Sequence, residues 1–206
     1  DTMFQKLVSL LPILFACSFL FGQNDNSTFF NGTVVYDVAL KGPIAEQIKL
    51  NEPNNQLEMH IFKGDYIVNL KGGRYPKTFM YLIKADREFS VDPINKIVYK
   101  YNAHEDLNRE TQKEKPVAVL TERKGIVNGD TCQVYGMKKD GAVFLFYVND
   151  KYRVDTTLFE GKIQAKPNFL VKGLGGLIPL KTVKKQEGIT VTTTCTSIKV
   201  REFDPS

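Results

Sequence analysis

The hexapeptide VFLFYV, Val143 to Val148, is apolar at every position, and TFMYLI, Thr78 to Ile83, is apolar at all but its first. Both are short and rich in β-branched and aromatic residues, which marks them as strands. Side chains of a strand alternate between its two sides, so Phe79, Tyr81 and Ile83 point one way and Met80 and Leu82 the other. Both sides of such strands need cover. A strongly curved antiparallel sheet that is closed by a helix, or that encloses an apolar cavity, meets this need, and so does a two-layer sandwich. GPIAEQIKL (42–50) and YRVDTTLFEGKIQ (152–164) are the candidate covering helices.

Period two recurs along most of the remaining chain. TVVYDVAL places Val34, Tyr36, Val38 and Leu40 on one side of a strand. QLEMHIFKGDYIVNLKG reads as a hairpin turning around Lys63 to Asp65, with Leu57, Met59 and Ile61 before the turn and Tyr66, Val68 and Leu70 after it. REFSV, the turn DPIN and KIVYKYN follow. GDTCQVYGMKKDGAVFLFYVND then supplies two strands joined by KKDG, and LKTVKKQEGITVTTTCTSIKV is a last hairpin around Glu187 and Gly188. The segment AHEDLNRETQKEKP (103–116) has almost no apolar residue to bury and is an exposed connection within one domain.

The amino-terminal segment sets the address. Lys6 precedes an apolar run from Leu7 to Gly22, too short for a good membrane span and followed by the polar string QNDNST. That pattern describes a secretory signal peptide. Residues 1–22 are read as this signal, 23–32 as a linker and 33–203 as a single domain, with the protein exported to the periplasm or outer envelope. Cys17 after LFA leaves a lipidated form open, beside a cleaved soluble form and an uncleaved anchor. In an oxidising compartment Cys132 and Cys195 are the expected disulfide, which would stabilise by about 4 kcal/mol by closing a loop of about 60 residues; two buried free thiols are the alternative.

From Lys162 to Arg201 eight basic residues accompany one acidic residue, Glu187. This third of the chain is either a solvated surface or one that meets an anionic membrane or acidic partner. Nucleic acid is not expected, since no recognition-helix pattern is present. His60 and His104, the two histidines, stand at no ligand spacing from a cysteine, so no metal is expected.

The glycine-rich string VKGLGGLIPLKTV (171–183) does not cradle a phosphate. No lysine and hydroxyl follow its last glycine, Gly176, and Pro179 within an alternating pattern argues for a strand where a dinucleotide fingerprint needs a helix. It reads instead as a turn whose glycines allow positive backbone angles while its leucines return to the core. No G-x-S-x-G elbow occurs, and no catalytic residue or cofactor is assigned.

Two strings carry a family resemblance. GIVNGDTCQVYGMKKDGAVFLFYVND, with Ile126, Gly129, Cys132 and Tyr135, resembles a pattern found in exported bacterial proteins of unknown function related to periplasmic lipoprotein carriers. GLGGLI is similar to the signature of the GLPGLI family, with Gly175 where that signature has proline. The resemblance implies an incomplete antiparallel β-barrel, mainly β with minor α, whose concave side is partly plugged by short helices and holds acyl chains. The expected function is therefore non-catalytic binding of an apolar ligand, a lipid or the acyl chain of an acylated protein. Tyr66, Val68, Leu70, Phe79, Tyr81, Phe144 and Phe146 are the lining candidates. A structural or protein-binding module of the envelope is the alternative.

Overall fold

The computed structural model describes residues 29–51, 53–102, 116–159 and 170–201. The expected signal segment 1–22 and most of the charged connection 103–116 lie outside them. Eleven strands form one sheet: β1 (Gly32–Lys41), β2 (Gln56–Phe62), β3 (Asp65–Lys71), β4 (Lys77–Leu82), β5 (Arg87–Asp92), β6 (Ile97–Asn102), β7 (Val119–Val127), β8 (Asp130–Lys139), β9 (Ala142–Arg153), β10 (Leu177–Gln186) and β11 (Ile189–Val200). The spatial order is β6-β5-β4-β3-β2-β1-β11-β10-β9-β8-β7, and every neighbouring pair is antiparallel. The sheet is open and curved and does not close into a barrel.

Two meanders thus meet at a central seam, where β1 pairs with β11 from Gly32↔Val200 to Lys41↔Thr190. The tight turns follow from local chemistry. Lys63–Gly64, Asn128–Gly129 and Asp140–Gly141 all take positive φ at both positions, the type I′ geometry that matches the twist of the flanking strands.

The side-chain rows across the amino-terminal arm come directly from the register. One row runs Val34–Met59–Val68–Phe79–Ser90–Tyr99 and the next Gly32–Ile61–Tyr66–Tyr81–Glu88–Tyr101, with Tyr36–Leu57–Leu70–Lys77 on the other flank. In the first row burial fades outward: Val34 and Met59 are buried, Val68, Phe79 and Ser90 half-buried, and Tyr99 is 47% exposed. The buried ends of these rows belong to a core cluster that also holds Val127, Cys132, Val154, Phe159, Ile178, Leu180 and Cys195 from the other arm. On a flat sheet β4 and β9 would stand about 30 Å apart. Curvature, and the chain leaving β9, bring their residues into one concave core.

A second cluster is confined to the carboxy-terminal arm: Ala118, Met137, Phe146, Val148, Leu174 and Leu177, with Tyr135, Phe144 and Val171 against it. β9 feeds both clusters, since Phe146 and Val148 enter the second while Tyr147, between them, packs on the first. The cover that VFLFYV requires on this side is a pair of loops: Ala118 N–H donates to Lys172 O at 2.7 Å, and Leu174 N–H to Val171 O at 3.1 Å. The glycine string makes that loop as expected. Gly173, Gly175 and Gly176 all have positive φ, and Leu174 and Leu177 are buried. A Cβ at Gly173 would collide with the carbonyl oxygen of Ala118, and one at Gly176 with that of Val154. Pro179 sits where the β9–β10 register shifts, so the ladder loses no regular bond to it.

Of the two expected covering helices, the first forms α1 (Pro43–Lys49). It buries only Ala45 and rests on the end of the β1–β11 pair, with Ile44 N–H donating to Gly188 O, so it does not cover the concave face. The second is a single 3-10 turn, Thr156–Phe159, within the described residues. No helix among the described residues is long and apolar enough to cross a membrane.

Candidate functional site

The concave face of the amino-terminal arm gathers most of the expected lining residues. Five of the seven lining candidates stand there side by side: Tyr66 opposite Tyr81, Val68 opposite Phe79, and Leu70 next along β3. Phe144 and Phe146 do not join them. Their rings stack on one another at 6.1 Å in the second cluster, with Lys184 Nζ 5.9 Å above the Phe144 ring. All seven residues lie in strands, as the alternation predicts. The side each side chain takes was not legible, because bulges at Val35–Tyr36 and at Leu177–Lys181 interrupt the alternation.

The inner end of the face is filled by the chain itself. Phe159 packs against Tyr66 at 6.0 Å and Tyr81 at 6.1 Å, and the two tyrosine rings lie 5.6 Å apart. Leu158 and Ile83 both close over the bare backbone of Gly64, where even a Cβ would be crowded. Glu88 lies in the same row, 3% exposed, and is the one buried charged residue among those described. Tyr66 hydroxyl donates to its Oε1 at 3.5 Å. Burial first, and then the nearby carboxylate, push the Tyr66 phenol well above its usual range. Neither Phe159 nor Glu88 was singled out as a site residue from the sequence. Glu88 could have been found only by placing it opposite Tyr81, since a carboxylate in a strand reads locally as an outward residue.

Beyond this plug the face stays apolar and partly open. Leu57 and Val68 pack against the core cluster from its margin, and Leu70 and Phe79 continue outward as half-buried residues. These four form a strip with no charged side chain between them, ending at Lys77 on one flank and Ser90 and Tyr99 on the other.

The expected disulfide is not formed. Cys132 and Cys195 share the first cluster as buried free thiols, each donating to a backbone carbonyl: Cys132 Sγ to Asp130 O at 3.5 Å and Cys195 Sγ to Ser197 O at 3.4 Å. Burial raises both above the ordinary thiol value, which suppresses the reactive thiolate. They behave as small apolar core residues.

One polar cluster has the order of a charge relay. His60 Nδ1 faces Thr33 Oγ1 at 2.9 Å, His60 Nε2 faces Glu58 Oε1 at 2.7 Å, and Lys71 pairs with the other oxygen of Glu58. The Lys71 ammonium, chiefly, holds the Glu58 carboxyl below its usual range. Thr33 lies in β1, which has a bonded strand on each side, so the N–H groups around it are committed to ladders and offer no oxyanion hole. The cluster reads as cross-strand pairing. Among the described residues no group of three or more His, Cys, Asp or Glu could hold a metal ion.

No protein-family model matches the chain, and no curated protein matches it by sequence. Among solved structures it is similar to LprF from Mycobacterium bovis, with a TM-score of 0.36 and 12% identity over 85% of this chain and 89% of that one. It is also similar to PNGF-II in two crystal forms, with TM-scores of 0.35 and 0.32 at 15% and 13% identity. There it covers 85% and 84% of this chain but only 28% and 29% of PNGF-II. At such identities no residue role carries across.

Proposed function

We propose that this is an exported, non-catalytic protein of the cell envelope that holds the acyl chain of a lipid or of an acylated protein along its concave face. The observation that carries the reading is the strip Leu57, Val68, Leu70 and Phe79, apolar, half-buried and continuous with the core. A chain laid on it leaves water at a gain of about 0.8 kcal/mol per methylene buried. Tyr66, Tyr81 and Phe159 form the floor on which such a chain would end. The resemblance to lipoprotein-carrier-like families points to the same class of ligand, and the apolar amino-terminal segment supports the address.

The chain contains no tryptophan, so Phe79→Trp introduces a single indole on the strip. Titrating this variant with a long-chain fatty acid should shift its emission to the blue with saturation, and Val68→Asp in the same background should abolish the shift. Native mass spectrometry of the purified protein should show a lipid adduct. An unliganded mass together with no saturable shift would remove the reading. It would favour the alternative, a structural or protein-binding module, which the packing of Phe159 into the floor of the face already suits.

A further inference from the structure

The registers of four strand pairs place five residues in one row across the tip of the sheet: Lys41, Thr190, Lys185, Val143 and Lys138, on β1, β11, β10, β9 and β8 in turn. Directly paired residues point to the same side, so the three lysines share that side with Val143, which is 38% exposed. At about 4.8 Å per strand the ammonium groups are rooted about 10 Å apart along a line of about 19 Å. All three lysines are exposed, and none makes an ion pair among the described residues. The next row on the same side, Ala39, Thr192, Val183, Leu145 and Gly136, carries no charge.

The surroundings of the row are basic and apolar. Lys139 and Lys184 adjoin it along their strands but point to the other side of the sheet, Lys184 over the Phe144 ring, and the acidic residues at this end, Asp140 and Glu187, belong to the hairpin turns beyond it. Lys41 leads through Gly42 into α1, whose Ile44 is 43% exposed and whose following residue, Leu50, is 85% exposed. The Lys49–Glu46 pair of that helix is neutral as a unit.

We infer that this tip of the sheet docks on an anionic lipid surface, with Lys41, Lys138 and Lys185 against headgroups and Leu50 and Ile44 entering the interface. A line of cations followed directly in the chain by a helix with exposed Ile44 and Leu50 fits a bilayer boundary better than a soluble acidic partner, which would leave Leu50 in water. The basic character sensed in the carboxy-terminal third is here a property of the sheet, since two of the three lysines come from elsewhere in the sequence. The inference stands apart from any ligand on the concave face.

The test is sedimentation of the full chain with vesicles of phosphatidylcholine containing 30% phosphatidylglycerol, against phosphatidylcholine alone, at low and high salt. Any contribution of the apolar segment Leu7 to Gly22 is common to all variants. The triple variant Lys41→Gln, Lys138→Gln, Lys185→Gln should lower the phosphatidylglycerol-dependent partition about 100-fold. Lys84→Gln, Lys96→Gln, Lys100→Gln, an equal change in net charge, should leave it within about threefold, and both should melt like the parent. Leu50→Asp should weaken vesicle binding while leaving binding to soluble dextran sulfate intact. Equal losses in the two triple variants, no preference for phosphatidylglycerol, or binding to dextran sulfate without binding to vesicles would each overturn the inference.

Discussion

The two arms of the sheet solve the same covering problem to different degrees. In the carboxy-terminal arm β9 is apolar on both sides and finds its cover mid-strand: Phe146 and Val148 are buried under the loops around Ala118 and Leu174 and Tyr147 packs on the concave core, while Phe144 and Leu145 are half-buried and Val143 is exposed at the tip. In the amino-terminal arm β4 is equally apolar, yet Phe79, Met80 and Leu82 remain half-buried, and β6 exposes Ile97, Val98 and Tyr99 at the sheet edge. A strand pattern therefore states a demand for cover that tertiary structure meets only in part. Where it is unmet within the described residues, the remaining apolar surface is where a ligand or partner has something to gain.

The largest test of this contrast is core truncation. Phe146→Ala should cost about 3–5 kcal/mol in denaturant unfolding, while Met80→Ala, half-buried in the other arm, should cost about 1–2 kcal/mol. Equal costs would erase the distinction between the arms. Next come two glycines with positive φ. Gly176→Ala forces a Cβ onto the Val154 carbonyl, whereas Gly72→Ala meets only the Asn55 side-chain amide, which can swing away. The first should lose about 1–2 kcal/mol more than the second in thermal melts.

Thiol chemistry probes the same difference kinetically. Cys132 and Cys195 should stay unlabelled by a disulfide reagent until global unfolding, and added reductant should leave the melting midpoint unchanged. A cysteine introduced by Val91→Cys should label through local opening of the outer amino-terminal arm. The smallest effect is electrostatic. Lys71 holds the Glu58 carboxyl low, so their pairing stabilises fully above the ordinary carboxylate range and is lost as pH falls through the lowered value. Lys71→Met should cost at most about 1 kcal/mol at pH 7 and flatten the loss of stability below about pH 4.

The strands were legible because Tyr66–Val68–Leu70 and Leu57–Met59–Ile61 alternate cleanly, and the turns because Asp140–Gly141 and Lys63–Gly64 need positive φ. What stayed hidden depends on distant partners. Nothing near Val34 announces that it faces Ile198, and no local pattern sets Phe159 against Tyr66 and Tyr81. The separation of Phe144 and Phe146 from the other lining candidates was hidden for the same reason. The fate of the two thiols was equally remote, since two cysteines fix a count and not a geometry.

The seam between β1 and β11 has a consequence for assembly. Each meander can zip up from its own hairpins as the chain emerges, but the clasp that joins them waits for the last strand of the sheet. Until β11 arrives, two half-cores face water and an unpaired flank of β1 lies open, so this topology favours slow folding that rewards protection of the newborn chain.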